Sequence, residues 1–108
     1  MRAHAGRAAA RNERGTSMKH STYFEGKVQS LEVQTPAGRA TVGVIEPGRY
    51  TFSTSSEEHI VLIEGTMKVK LPGGDWQNVQ KGRELVVQRD VSFDIDAGAD
   101  VAYICYYR

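Results

Sequence analysis

Apolar and polar residues alternate with period two through most of the chain beyond Thr22. Met67, Val69 and Leu71 are separated by Lys68 and Lys70, and Val91, Phe93 and Ile95 by Ser92 and Asp94. Each run is the signature of a strand with one buried face. Leu85-Val86-Val87 is a short continuous apolar run, suited to a strand covered on both faces, and Ala40, Val42 and Val44 alternate more weakly. Turn signals separate the runs: Pro36-Ala37-Gly38, Glu46-Pro47-Gly48, Gly65, Pro72-Gly73-Gly74, Lys81-Gly82 and Ala97-Gly98. The pattern predicts eight or nine strands, at 24–34, 38–45, 49–54, 58–64, 66–71, 75–79, 83–88, 91–96 and 100–107. No stretch sustains a 3.6-residue apolar repeat, so helix is minor. Short strands in such number must close or stack to hide their edges, which predicts an all-β fold, a barrel or jelly roll.

A chain of 108 residues allows one domain. Its single cysteine cannot form an internal disulfide, which points to a reducing cytoplasm. The longest apolar run, Val101 to Tyr107, is too short to cross a membrane as a helix. A net charge of +1 offers no bulk attraction to nucleic acid. Residues 1–17 hold four arginines and one acidic residue, with no aromatic and no branched aliphatic side chain. Such a segment is expected to be disordered and to lie outside the fold. Met18 follows directly, so 1–17 reads as an extension or an early start, and the domain as 18–108.

Few residues carry candidate chemistry. Of His4, His20 and His59, only the last lies well inside the domain. A catalytic metal wants about three protein ligands, and no ligand spacing supplies them, so no metal is expected. Cys105 has no basic neighbour in sequence and reads as a packing residue. Gly48 to Glu58 is the densest segment in functional groups, with Tyr50, Phe52 and Thr54 on one face of an extended strand. Aromatic rings beside hydroxyls suit a planar ring joined to a polyhydroxylated or anionic group. Arg39 follows a turn glycine, where its side chain can reach over a barrel mouth, and Trp76 reads as core or dimer packing.

Glu58-(six residues)-Gly65 with the strand after it resembles the end of a first cupin motif, and Gly82-(five residues)-Gln88 with Val91-Ser92-Phe93 resembles the second. The metal-binding histidines of those motifs would fall at Phe52 and Thr54, or at Thr54 and Ser56, and at Phe93. None is histidine. Residues 23–108 are similar to the small bacterial pyrimidine/purine nucleoside phosphorylase family. The likeness is carried by Tyr23-Phe24-Glu25-Gly26-Lys27-Val28, Gly38 to Val44, Gly48 to Thr54 and Tyr103-Ile104-Cys105-Tyr106-Tyr107.

This resemblance implies a cupin barrel, a homodimer, and phosphorolysis of nucleosides of broad base type. The products are free base and pentose 1-phosphate, with inorganic phosphate the only co-substrate. On that footing Arg39 is expected to hold phosphate, with the hydroxyls of Ser53, Thr54 and Ser56 as further donors. Glu58, and second to it Glu57, is expected to face the oxocarbenium-like pentose. Tyr50, Phe52, Phe93 and Tyr103 are expected to form a stacking slot for the base. The chain departs from the family at its end, reading Cys-Tyr-Tyr-Arg where Cys-Arg-Tyr is common, so Arg108 would have to act from a different position. Gln88 stands where proline is common. Two other readings share these residues: a metal-free cupin that binds a small sugar or nucleotide without turnover, and a structural dimerisation module.

Overall fold

The computed structural model describes residues 18–108, so the segment 1–17 and its expected disorder lie outside the described residues. Ten strands make up most of the rest: β1 His20–Tyr23, β2 Val28–Thr35, β3 Gly38–Ile45, β4 Gly48–Ser53, β5 Glu58–Glu64, β6 Met67–Lys70, β7 Trp76–Val79, β8 Glu84–Val87, β9 Ser92–Ala97 and β10 Val101–Tyr107. Six form one sheet in the order β1-β2-β3-β10-β5-β8, and four form another in the order β4-β9-β6-β7. All paired neighbours are antiparallel. After β3 the chain changes sheet at every link except the β6–β7 hairpin. That exchange is the architecture of a double-sheet jelly roll, the form the all-β expectation takes here. Hydrogen bonding is organised as two sheets.

The inner faces of both sheets meet in one core. Val28, Ile45, Leu62, Val87 and Val101 of the larger sheet pack with Tyr50, Met67, Val69, Phe93 and Ile95 of the smaller. Burying one such branched aliphatic side chain stabilises the fold by ~1.5–3 kcal/mol. Gly65 turns β5 into β6 at φ +90°, where a Cβ would stand 2.7 Å from the Asp100 carbonyl oxygen. No other residue fits that corner without moving backbone.

Three local expectations are corrected. The strand expected at 24–34 starts only at Val28, as β2: residues 24–27 form a turn in which Phe24, Glu25 and Gly26 all have positive φ, and the strand before that turn, β1, was not expected. In β3 the alternation is inverted: Thr41, Gly43 and Ile45 face inward, while Val42 and Val44 stand exposed on the outer face. The run at 85–87 is buried on one side only: Leu85 and Val87 face the core, while Val86 points to the uncovered outer face. In both strands the apolar residues on the wrong side belong to an outer face that is itself apolar.

Candidate active site

Alternate residues of β10 share a face, so Tyr103, Cys105 and Tyr107 form one inward row. Register sets their neighbours: Tyr107 opposite Glu58, Cys105 between Thr41 and Ile60, and Tyr103 opposite Gly43, which in turn pairs with Ser30. Facing this polar wall are Phe52 and Phe93, cross-strand partners on β4 and β9 whose rings stack at 5.9 Å. Between the walls lies a cavity of about 140 Å³, with Tyr23 and Ser53 also in its lining. Gly43 makes room for one side of it. A Cβ there would stand 2.6 Å from the Tyr103 hydroxyl and 2.7 Å from the Gln29 carbonyl oxygen, so only glycine lets the Tyr103 ring lie across β3.

Glu58 is the carboxylate of the cavity. The Cys105 thiol donates to its Oε1 at 3.6 Å. Burial pushes the Glu58 pKa above the usual carboxylate range, opposed by that thiol and by the charge of Arg39. The thiol itself is pushed up to about 12, by burial and then by Glu58, so Cys105 is a neutral donor and no nucleophile. Burial also pushes Tyr103 up to about 12. The same cause raises Tyr107, whose hydroxyl is hydrogen-bonded to Thr41 Oγ1 at 3.0 Å, either hydroxyl being able to donate. Near neutral pH the wall therefore offers neutral hydroxyls and a thiol around one acid. Arg39 shares the inward parity of Thr41, and its guanidinium lies 3.9 Å from the centroid of the Tyr107 ring. Its nearest carboxylate, Glu32, stands 3.7 Å away, beyond hydrogen-bond range.

Phe52, Ser53, Glu58, Phe93 and Tyr103, all expected in the site, line this cavity, and Arg39 stands over its Tyr107 edge. Four expected residues are placed elsewhere. Thr54 is buried and its hydroxyl is committed to backbone: it donates to Gln88 O at 2.7 Å and accepts from Val91 N–H at 3.1 Å. Tyr50 is buried with its hydroxyl on the Glu46 carbonyl at 2.7 Å, closing the β3–β4 turn. Glu57 faces away, 2.6 Å from His59 Nε2, and Ser56 lies in a bend outside the lining. Arg108 lies over Tyr106, 5.3 Å from its ring centroid, on the face opposite the cavity. Conversely, Ser30, Thr41, Cys105, Tyr107 and Tyr23 belong to the site or its frame. Period-two parity with Tyr103 was the signal for Cys105 and Tyr107; the other three require the register between strands.

His59 is held on the outer face by two carboxylates, Glu57 on Nε2 and Glu84 on Nδ1 at 3.0 Å. Those bonds raise its pKa, Glu57 first and then Glu84. Among the described residues no group of three or more His, Cys, Asp or Glu side chains could hold a metal ion. Also among them, no helix is long and apolar enough to cross a membrane.

A two-sheet jelly roll with a half-polar, half-aromatic cavity defines a cupin-like protein. The polyketide cyclase RemF from Streptomyces resistomycificus has the same fold at a TM-score of 0.60, with 17% identity over 73% of this chain and 63% of its own. Nearer in sequence, a Vibrio parahaemolyticus protein of unknown function superposes with a TM-score of 0.82 at 34% identity, covering 86% of this chain and all of that one. The sequence model of the pyrimidine/purine nucleoside phosphorylase family matches residues 18–107, and the chain belongs to that family. Relatives that carry the name pyrimidine/purine nucleoside phosphorylase include one from Psychromonas ingrahamii, 37% identical over 85% of this chain and 99% of its own length. Another, from Pseudomonas entomophila, is 40% identical over 83% of this chain and 97% of its own.

Proposed function

We propose that this protein is an enzyme, a nucleoside phosphorylase that cleaves purine and pyrimidine nucleosides with inorganic phosphate to free base and pentose 1-phosphate. Family membership and the names of its relatives support the reaction class. The observation that carries the reading is Glu58, partly buried beside Cys105 and Tyr107 and within the field of Arg39, across the cavity from Phe52 and Phe93. In phosphorolysis the C1′–N bond breaks and a phosphate oxygen bonds to C1′. The base leaves with the electron pair and takes the proton that hydrogen phosphate gives up. Positive charge builds on the pentose as the bond stretches, and the Glu58 carboxylate stabilises it. Arg39 holds the incoming phosphate in line, with Ser53 a further donor.

The aromatic wall has no donor or acceptor with which to test a base edge, which suits broad base tolerance. Phe93, and Phe52 by one of two spacings, stand where cupin motifs carry histidine. The reading therefore assigns no resident metal. Arg39→Ala is expected to abolish phosphate-dependent base release and leave the melting temperature near that of the parent, because exposed ion pairs contribute ~1 kcal/mol or less. Undiminished release by Arg39→Ala contradicts this assignment.

The proposal extends to a cytoplasmic homodimer. The free, buried Cys105 suits a reducing compartment. The outer face of the six-stranded sheet carries cross-strand rows of apolar side chains, Leu31-Val42-Ile104-Val61 and Val33-Ala40-Tyr106. Leu31, Val33, Val42, Val44, Ile63 and Val86 are all exposed there. An apolar face of this kind can be covered by the same face of a second copy about a two-fold axis, and a second copy of the chain is its proposed occupant.

A further inference from the structure

The turn between β1 and β2 is backbone-strained at two residues with large side chains. Phe24 and Glu25 have φ +53° and +58°, followed by Gly26 at +89°. The turn is closed by Gly26 N–H to Tyr23 O at 3.1 Å and Lys27 N–H to Phe24 O at 3.2 Å. Left-handed backbone costs roughly 1–2 kcal/mol per non-glycine residue and persists only where surrounding contacts over-determine it. The result of this strain is an aromatic cap. The Phe24 ring lies 5.3 Å from Phe52 and 5.0 Å from Tyr50, and Tyr23 meets the edge of Phe52 at 6.3 Å. Even so, Tyr23 and Phe24 remain 47% and 42% exposed. Large aromatic surface is thus left open beside a cavity that Tyr23 itself lines.

Size and direction say what the cap could take. At about 140 Å³ the cavity is well under the ~300 Å³ typical of sites that enclose a small ligand, so a nucleoside would not fit inside whole. Strand register puts Tyr23 opposite Val28 and Arg39 opposite Gln34, at opposite ends of β2. The polar groups Glu58, Tyr103 and Tyr107 lie in the cavity lining. We infer that Tyr23 and Phe24 extend the Phe52 edge of the aromatic wall into the base-stacking subsite, with the pentose in the polar cavity and phosphate at the Arg39 end. This inference rests on the phosphorylase reading and adds the orientation of the substrate and two specificity-determining residues. Tyr50, whose hydroxyl is committed to backbone, serves as the backing of the cap.

The test compares Tyr23→Leu and Phe24→Leu, which keep apolar bulk and lose the ring, with Tyr23→Ala and Phe24→Ala. Three quantities are measured: KM and kcat for adenosine and uridine, KM for phosphate, and inhibition by methyl β-ribofuranoside, which has a sugar and no ring. Stacking of a base on an aromatic residue is sensitive to ring loss, so KM for nucleosides should rise about tenfold, more for adenosine than uridine. The phosphate KM and the methyl riboside inhibition should stay within about twofold, which a merely structural role for the cap would not preserve. Fluorescence quenching of 2-aminopurine riboside on binding reads the same contact without turnover. Absence of base release by the parent protein overturns the phosphorylase reading, while quenching lost in the Leu variants still supports the subsite. Nucleoside KM and quenching unchanged in the Leu variants overturn the subsite.

Discussion

Glu58 shows how burial ties chemistry to stability in one side chain. Its folded-state pKa lies above the ordinary carboxylate value, with burial the largest cause. Folding therefore favours the protonated form. The stability linked to this group is complete below its unfolded pKa and is lost as pH rises through the folded one. Glu58→Gln removes that loss, so the variant should melt higher than the parent above about pH 5. It should also lose roughly 10²–10³-fold in kcat/KM, the usual cost of removing a charge-stabilising group. Melting curves and phosphorolysis rates across pH check both; a variant that melts lower throughout contradicts the account. The place of Phe52 and Tyr103 in the lining was legible because they lie in the strings that carry the family resemblance, and that of Glu58 and Phe93 because they lie in the strings that resemble cupin motifs. Thr54 was not legible as a backbone latch, since the carbonyls and amide that engage its hydroxyl come from the loop before β9.

Elements that depend on a neighbour far along the chain are where sequence patterning loses resolution. The β1–β2 turn carries Phe-Glu where hairpin turns favour Asn-Gly, so its residues read as the start of a strand at 24–34 and the short strand before it, β1, was not expected. β8 likewise hides its edge position, because Leu85-Val86-Val87 is apolar throughout. Its attachment to β5 is reinforced by His59, whose two ring nitrogens can both donate, to Glu57 and Glu84, only as imidazolium. The raised pKa fixes the sign of the effect. Stability from this clamp is complete below the ordinary imidazole pKa and is lost as pH rises through the raised one. The melting temperature should therefore fall as pH rises above the ordinary imidazole pKa of about 6.5, and His59→Gln should flatten that decline. Placing His59→Gln in the Glu58→Gln background separates this decline from that of Glu58. A decline unchanged by His59→Gln contradicts the clamp.

At the scale of the whole molecule, the all-β class followed from many short strands that must hide their edges. The assignment of those strands to two sheets did not follow, since it depends on links that cross from sheet to sheet. One face of the larger sheet builds the cavity, and the other is apolar and open. Analytical ultracentrifugation is expected to show a dimer, and Val42→Asp, in the middle of an apolar row, a monomer that still melts cooperatively. A monomeric parent protein contradicts the outer-face dimer.

The proposal as a whole stands on phosphate being a reactant. Release of uracil from uridine and adenine from adenosine should be measured with and without inorganic phosphate on chelator-treated protein, with the pentose product identified. Release is expected only when phosphate is present, with one pentose 1-phosphate formed per base. Release at the same rate without phosphate, giving free pentose, contradicts it and makes the protein a hydrolase.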